Sequence, residues 1–127
     1  MPHFIIDCSE NILQERTAEE LMNAVYEVAA STGLFAANDI KVRLQSNQHF
    51  KLGEGKTSFI HVFGYIMEGR SLEQKANLSR NVTAKLVELV KDTSFLSMNI
   101  WDFERETYCN KSLINPANKN KDRHFEL

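Results

Sequence analysis

Apolar positions recur at two different spacings along this chain, and the order of those spacings reads as one pattern used twice. The opening run Phe4-Ile5-Ile6 is continuously apolar and predicts a buried strand from Pro2 to about Cys8. Polar residues then lead to a helix over about Ala18 to Ser31, in which Leu21, Val25 and Val28 recur at helical spacing. Thr17 and Glu20 fit a capping box: the hydroxyl caps the N3 amide and the carboxylate reaches back to the N-cap amide. Gly33 closes the helix, as glycine does just past a C-terminus. Ile40-Lys41-Val42-Arg43-Leu44 alternates apolar and polar, the period of a strand with one buried face.

A polar connector carrying Gly53-Glu54-Gly55 reads as an exposed turn. The second half repeats the order. A strand from Ser58 to about Met67 is broken by Gly69-Arg70-Ser71, and Ser71 with Gln74 forms a second capping box. The helix that follows runs to about Lys91 with Leu78, Val82, Leu86 and Leu89 on one face. A last strand, about Ser97 to Glu106, includes Ile100, Trp101 and Phe103, and the tail beyond Tyr108, with Pro116, shows no period. Strand–helix–strand twice predicts an α/β fold (α+β in some schemes) of two tandem right-handed βαβ units. The four strands form one sheet with both helices on one face, because each helix has only one narrow apolar face. One domain over 1–127 is expected, with an internal pseudo-repeat of about 2–46 and 58–106 and a C-terminal tail of 107–127. The other sheet face is left for partner subunits to cover, so an oligomer is expected.

Composition narrows the function. At 127 residues and 43% hydrophobic, the chain is long enough to bury a core. A net charge of −2 gives no reason to propose nucleic acid or an anionic membrane as partner. The basic cluster Lys119-Asn120-Lys121-Asp122-Arg123 reads as a solvated tail. No apolar run approaches the ~20 residues of a membrane span, and Asp7 and Glu10 interrupt the opening segment, so no signal peptide is expected. A cytoplasmic protein is therefore expected, with chance glycosylation sequons at Asn77, Asn81 and Asn110. Cys8 and Cys109 form no CxxC pair and have no adjacent base, which predicts free thiols and no nucleophile. His3, His49, His61 and His124 show neither HxH nor HExxH spacing, so neither a metal nor another cofactor is expected.

The chemistry is expected at the second residue. Initiator methionine is usually trimmed before a small residue, which would leave Pro2 as the mature N-terminus with a free secondary amine. A reference α-amino group titrates near pKa ~8, and burial or neighbouring cations lower that value. Such an amine is neutral at pH 7 and acts as a general base.

Met1-Pro2-His3-Phe4-Ile5-Ile6, Thr32-Gly33-Leu34-Phe35 and Glu68-Gly69-Arg70-Ser71-Leu72-Glu73 together resemble the 5-carboxymethyl-2-hydroxymuconate isomerases of the tautomerase superfamily. Gly69-Arg70-Ser71 with Glu73-Gln74-Lys75 is also similar to the shorter 4-oxalocrotonate tautomerases. The resemblance implies a duplicated, tautomerase-like βαβ fold, a homotrimer, and a catalytic amino-terminal proline, here Pro2. It also implies a place in aromatic-compound catabolism, that of homoprotocatechuate, and a small polycarboxylate substrate. Pro2 would take the proton of the 2-hydroxyl of a dienol and return it to a carbon further along the conjugated chain. Arg70 matches the family's arginine in the Gly-Arg-Ser turn, where a guanidinium grips a carboxylate with two parallel hydrogen bonds. Helix N-terminal amides add anion affinity at that junction.

The chain departs from the family on the strand after the first helix, where Lys41 stands in place of an arginine. Lysine keeps the charge and loses the bidentate geometry. Either Lys41 binds substrate with weaker orientation, or Arg43, two residues on and on the same sheet face, takes the role, or the substrate differs. The first reading is preferred. His3 and His61 read as structural, and Trp101 and Phe103 as core or subunit-interface packing. Competing functions on the same frame are a hydratase, a dehalogenase, a phenylpyruvate-type tautomerase, or a non-enzymatic binding protein such as the related macrophage migration inhibitory factor.

Overall fold

The structure, a computed structural model, describes residues 1–114. The basic cluster at 119–123, Pro116 and His124 lie outside the described residues. Strand β1 (His3–Ser9), helix α1 (Ala18–Ser31) and strand β2 (Lys41–Asn47) are followed by strand β3 (Phe59–Met67), helix α2 (Leu72–Leu89) and strand β4 (Phe95–Phe103). The strands form one sheet in the order β2-β1-β3-β4. β1 pairs with β2 and β3 with β4 in parallel, while the two central strands β1 and β3 are antiparallel. Two parallel strand–helix–strand units are thus joined along their first strands.

Both helices lie on one face and pack against each other. Phe4, Ile6 and Cys8 of β1 and Ile60, Val62 and Ile66 of β3 point into that face and meet Leu21 and Val25 of α1 and Leu78, Val82 and Leu86 of α2. Fully burying one such aliphatic or aromatic side chain contributes about 1.5–3 kcal/mol. The opposite face carries the alternate residues. His3, Ile5 and Asp7 of β1 are half-buried there rather than buried, because helices cover one side only. Trp101 (53% exposed) and Phe95 (44%) lie on the same open face.

Both capping boxes form, with Thr17 and Ser71 accepting from the amides of Glu20 and Gln74. The predicted last strand is corrected at both ends: it begins at Phe95 and stops at Phe103, short of Glu106. The Glu68 amide makes the final rung to the Phe103 carbonyl at 3.1 Å. The Glu68 carboxylate then takes the Arg105 amide at 2.6 Å, which turns the chain into a short 3-10 helix, Arg105–Thr107. The polar stretch after β1 also holds an unpredicted 3-10 helix, Glu10–Gln14, pinned by fully buried Ile12. No helix among the described residues is long and apolar enough to cross a membrane.

Candidate active site

The topology gathers the predicted residues at one end of the sheet. β1 and β2 begin there, β3 and β4 end there, α1 arrives there and α2 departs. Pro2 is buried at the head of β1, a position where its missing N–H costs no ladder bond. Its carbonyl accepts the Lys41 backbone N–H at 3.1 Å.

A 3-10 turn, Ala37–Asp39, places the Asp39 carbonyl beside this strand start. The Lys41 side-chain Nζ donates to that oxygen at 2.6 Å and the chain's terminal amine donates to it at 3.2 Å. The Asp39 carboxylate lies 3.4 Å from the same amine. Met1 itself is 5% exposed. Burial pushes the terminal amine from 8.0 down to about 6; the hydrogen bond and charge of Lys41 push the same way, and Asp39 pushes back. With Met1 in place, its amine is mostly neutral at pH 7. While Met1 is attached, the Pro2 nitrogen is an amide and has no basicity.

Arg70 occupies the turn from β3 into α2. Gly69, with φ of 119°, takes a backbone conformation that side-chain-bearing residues rarely adopt and so lets the chain fold back. The Arg70 guanidinium donates to the Leu34 carbonyl at 2.5 Å and the Met67 carbonyl at 3.4 Å. It lies 5.2 Å above the ring centroid of Phe35, which in turn packs edge-on against Phe4. Burial, then the nearby Arg105 charge, lowers the Arg70 pKa, with Asp102 opposing. The group stays cationic at neutral pH.

The structure separates Lys41 from Arg43. Lys41 is the cation at the terminal amine, whereas Arg43 pairs with Ile5 one step into the sheet and reaches His3 Nδ1 at 3.1 Å. An arginine donates only, so His3 Nδ1 is the acceptor and its ring proton sits on Nε2. Burial, then Lys41, Arg43 and the terminal amine, holds His3 below the usual histidine pKa.

Other candidates lie elsewhere. His61 bridges Ser97 at 2.7 Å and Asn99 at 2.8 Å in the middle of the open face. Phe103 stacks on Tyr65 and meets His3 edge-on, so it packs on the open face and not in the core. Cys8 and Cys109 are free, and burial, followed by the Asp7 charge, pushes the Cys8 thiol up to about 11. A cleft of about 610 Å³, lined by Glu10, Asn47 and His49 among others, opens at the opposite end of the sheet. A smaller one of about 230 Å³ borders Leu34, the acceptor of Arg70, and is lined by Thr32, Gln74 and Asn77.

Asp39, Phe35 and Arg105 were not legible as site residues. Asn38-Asp39 before a strand reads as an ordinary turn, and Arg105 falls inside the predicted end of β4.

The sequence profile of the 5-carboxymethyl-2-hydroxymuconate isomerases matches residues 2–117. The chain is 32% identical over 93 residues to the 5-carboxymethyl-2-hydroxymuconate Delta-isomerase of Escherichia coli, covering 72% of this chain and 71% of that one. Its fold is similar to a 5-carboxymethyl-2-hydroxymuconate isomerase from Deinococcus radiodurans, with TM-score 0.76, 22% identity, and coverage of 87% and 88% of the two chains. It is also similar to a fused 4-OT wild-type symmetric trimer, with TM-score 0.71, 13% identity, and coverage of 86% and 91%.

Proposed function

The chain belongs to the 5-carboxymethyl-2-hydroxymuconate isomerase family, and from that membership we propose that Pro2, freed by removal of Met1, is its catalytic base. The reaction class is isomerisation by movement of a C=C bond. The Pro2 amine breaks the O–H bond of the 2-hydroxy dienol and the electrons form the 2-oxo group. The same nitrogen then delivers its proton to a carbon further along, which leaves an α,β-unsaturated ketone. One observation carries this reading: Pro2 is buried at the strand start, where burial and then Lys41 lower the pKa of the adjoining Met1 amine, and the same surroundings act on a Pro2 amine once Met1 is gone. A base whose conjugate acid is a comparable donor suits both halves of the proton transfer.

Lys41 and Arg70 flank Pro2 in the sheet order and bind substrate carboxylates. Lys41 acts as a point charge; Arg70 grips with guanidinium donors beyond the two given to carbonyls. Arg43, directed to His3, supports this strand rather than contacting substrate. The active form is a homotrimer in the cytoplasm, with the open sheet face covered by neighbouring copies. The exposed Trp101 and Phe95 on that face and the trimeric structural relative support this. Steady-state assays on 5-carboxymethyl-2-hydroxymuconate beside 2-hydroxymuconate and phenylenolpyruvate test the function. Preference for the tricarboxylate is expected, and turnover of none of the three overturns the reading.

The electrostatics give a signed pH prediction. Lys41 disfavours the protonated amine and Asp39 favours it. In Lys41→Met the amine pKa rises, so the acid limb of kcat/KM moves to higher pH. In Asp39→Asn it moves to lower pH. The pH–rate profiles of both variants check this by limb position, not height, and unmoved limbs in both would contradict it.

A further inference from the structure

Side chains alternate along β1, which puts His3 on the open face of the sheet, with Lys41 of β2 and Tyr65 of β3 as its register partners. Resting on the Pro2 reading above, we propose that His3 is a second catalytic residue, a neutral donor whose Nε2–H binds the 2-oxygen of the dienol as its proton leaves for Pro2.

The state of the ring is set by its partner. Arg43 Nη1 lies 3.1 Å from His3 Nδ1, and a guanidinium has only N–H groups to offer, so Nδ1 holds the lone pair and Nε2 the proton. Among the described residues none accepts from that Nε2–H. A histidine that only ties the sheet together engages both nitrogens, as His61 does with Ser97 and Asn99. His3 engages one and keeps a donor free. Burial first, then the charges of Lys41, Arg43 and the terminal amine, keeps a second proton off the ring. Phe103 meets the ring edge-on at 5.9 Å and stacks on Tyr65, which gives it an apolar wall. A hydrogen bond to a growing charge is worth more beside such a wall than in water.

Adjacency decides which substrate atom is served. The oxygen that loses its proton lies within hydrogen-bond reach of the Pro2 nitrogen, about 2.6–3.2 Å, and His3 is the next residue along the chain. Lys41 and Arg70 are charged and suit carboxylates, which are anionic before and after the reaction. The 2-oxygen is different: it is neutral as a hydroxyl and neutral again as a carbonyl. It carries negative charge only between the breaking of the O–H bond and the settling of its electrons as C=O. A neutral donor gains most at that moment and gives up no proton, so the proton passes from oxygen to Pro2 and then to carbon.

His3→Phe keeps an aromatic ring at the position and removes the donor. Its kcat is expected to fall about 10²-fold, the scale of one donor to a developing oxyanion. KM changes little, because the contact strengthens only in the transition state. The fall is the same with 5-carboxymethyl-2-hydroxymuconate and 2-hydroxymuconate, which share the 2-hydroxyl. Histidine ¹⁵N NMR at pH 7 reads the ring itself: in the wild type a neutral ring with its proton on Nε2, and in Arg43→Met a mixture of the two tautomers. Near-wild-type kcat in folded His3→Phe, or a wild-type ring that is protonated or carries its proton on Nδ1, overturns the role of His3 and leaves the isomerase reading standing. The NMR result decides alone if His3→Phe does not fold. Wild-type protein that turns over neither substrate overturns the isomerase reading and this inference with it.

Discussion

Replacing Pro2 by alanine lowers kcat/KM about 10²-fold or more and leaves the protein folded. A positioned general base contributes roughly 10²–10⁴ in rate, and alanine offers a primary amine on a more mobile chain end in place of a fixed secondary one. The fold survives because the Pro2 nitrogen makes no ladder bond. The carbonyl that receives the Lys41 N–H is retained by alanine. Loss of the rigid ring costs about 0.4–1 kcal/mol through the unfolded chain, which a melting curve reads separately from activity. Intact mass establishes that Met1 is absent from both proteins. Wild-type kinetics in Pro2→Ala would refute the base role.

Arg70→Ala is expected to raise KM by about 10–10²-fold, since hydrogen bonds to charged groups are worth about 1.5–3 kcal/mol each. It also weakens the fold, because the guanidinium ties the Leu34 carbonyl at the exit of α1 to the Met67 carbonyl at the exit of β3. Leaving those acceptors and the Phe35 face without it costs about 1–3 kcal/mol. Arg70→Lys separates the two roles: it restores charge without the fork, so KM falls between wild type and Arg70→Ala. A variant that loses stability with an unchanged KM would show that Arg70 is only a structural tie.

The fold was legible because each local signal agreed with its neighbours. Two capping boxes fixed where α1 and α2 begin, and period-two alternation fixed which side of β2 faces the helices. What local pattern does not carry is register between distant strands. The antiparallel match of His3 with Tyr65 is what brings the exit of β3, and so Arg70, to the end of the sheet where Pro2 lies. The roles of Lys41 and Arg43 were inseparable by periodicity, since both share one face; depth along β2 divides them, one at the amine and one at His3. Asp39 meets the terminal amine with both its carboxylate and its carbonyl oxygen, and Lys41 with that carbonyl, contacts set by the turn before β2 rather than by any local motif. Arg105 was hidden because β4 stops at Phe103, where a glutamate from the next strand captures its amide.

The central claim is that a neutral amine waits at Pro2. ¹⁵N-proline labelling and NMR titration of the terminal nitrogen, on protein shown to lack Met1, test it most directly. A transition below about 7 is expected, the direction in which burial and Lys41 move the amine of Met1 at this end of the sheet. A transition near 9 would mean a protonated proline at neutral pH, an acid rather than a base, and would contradict it.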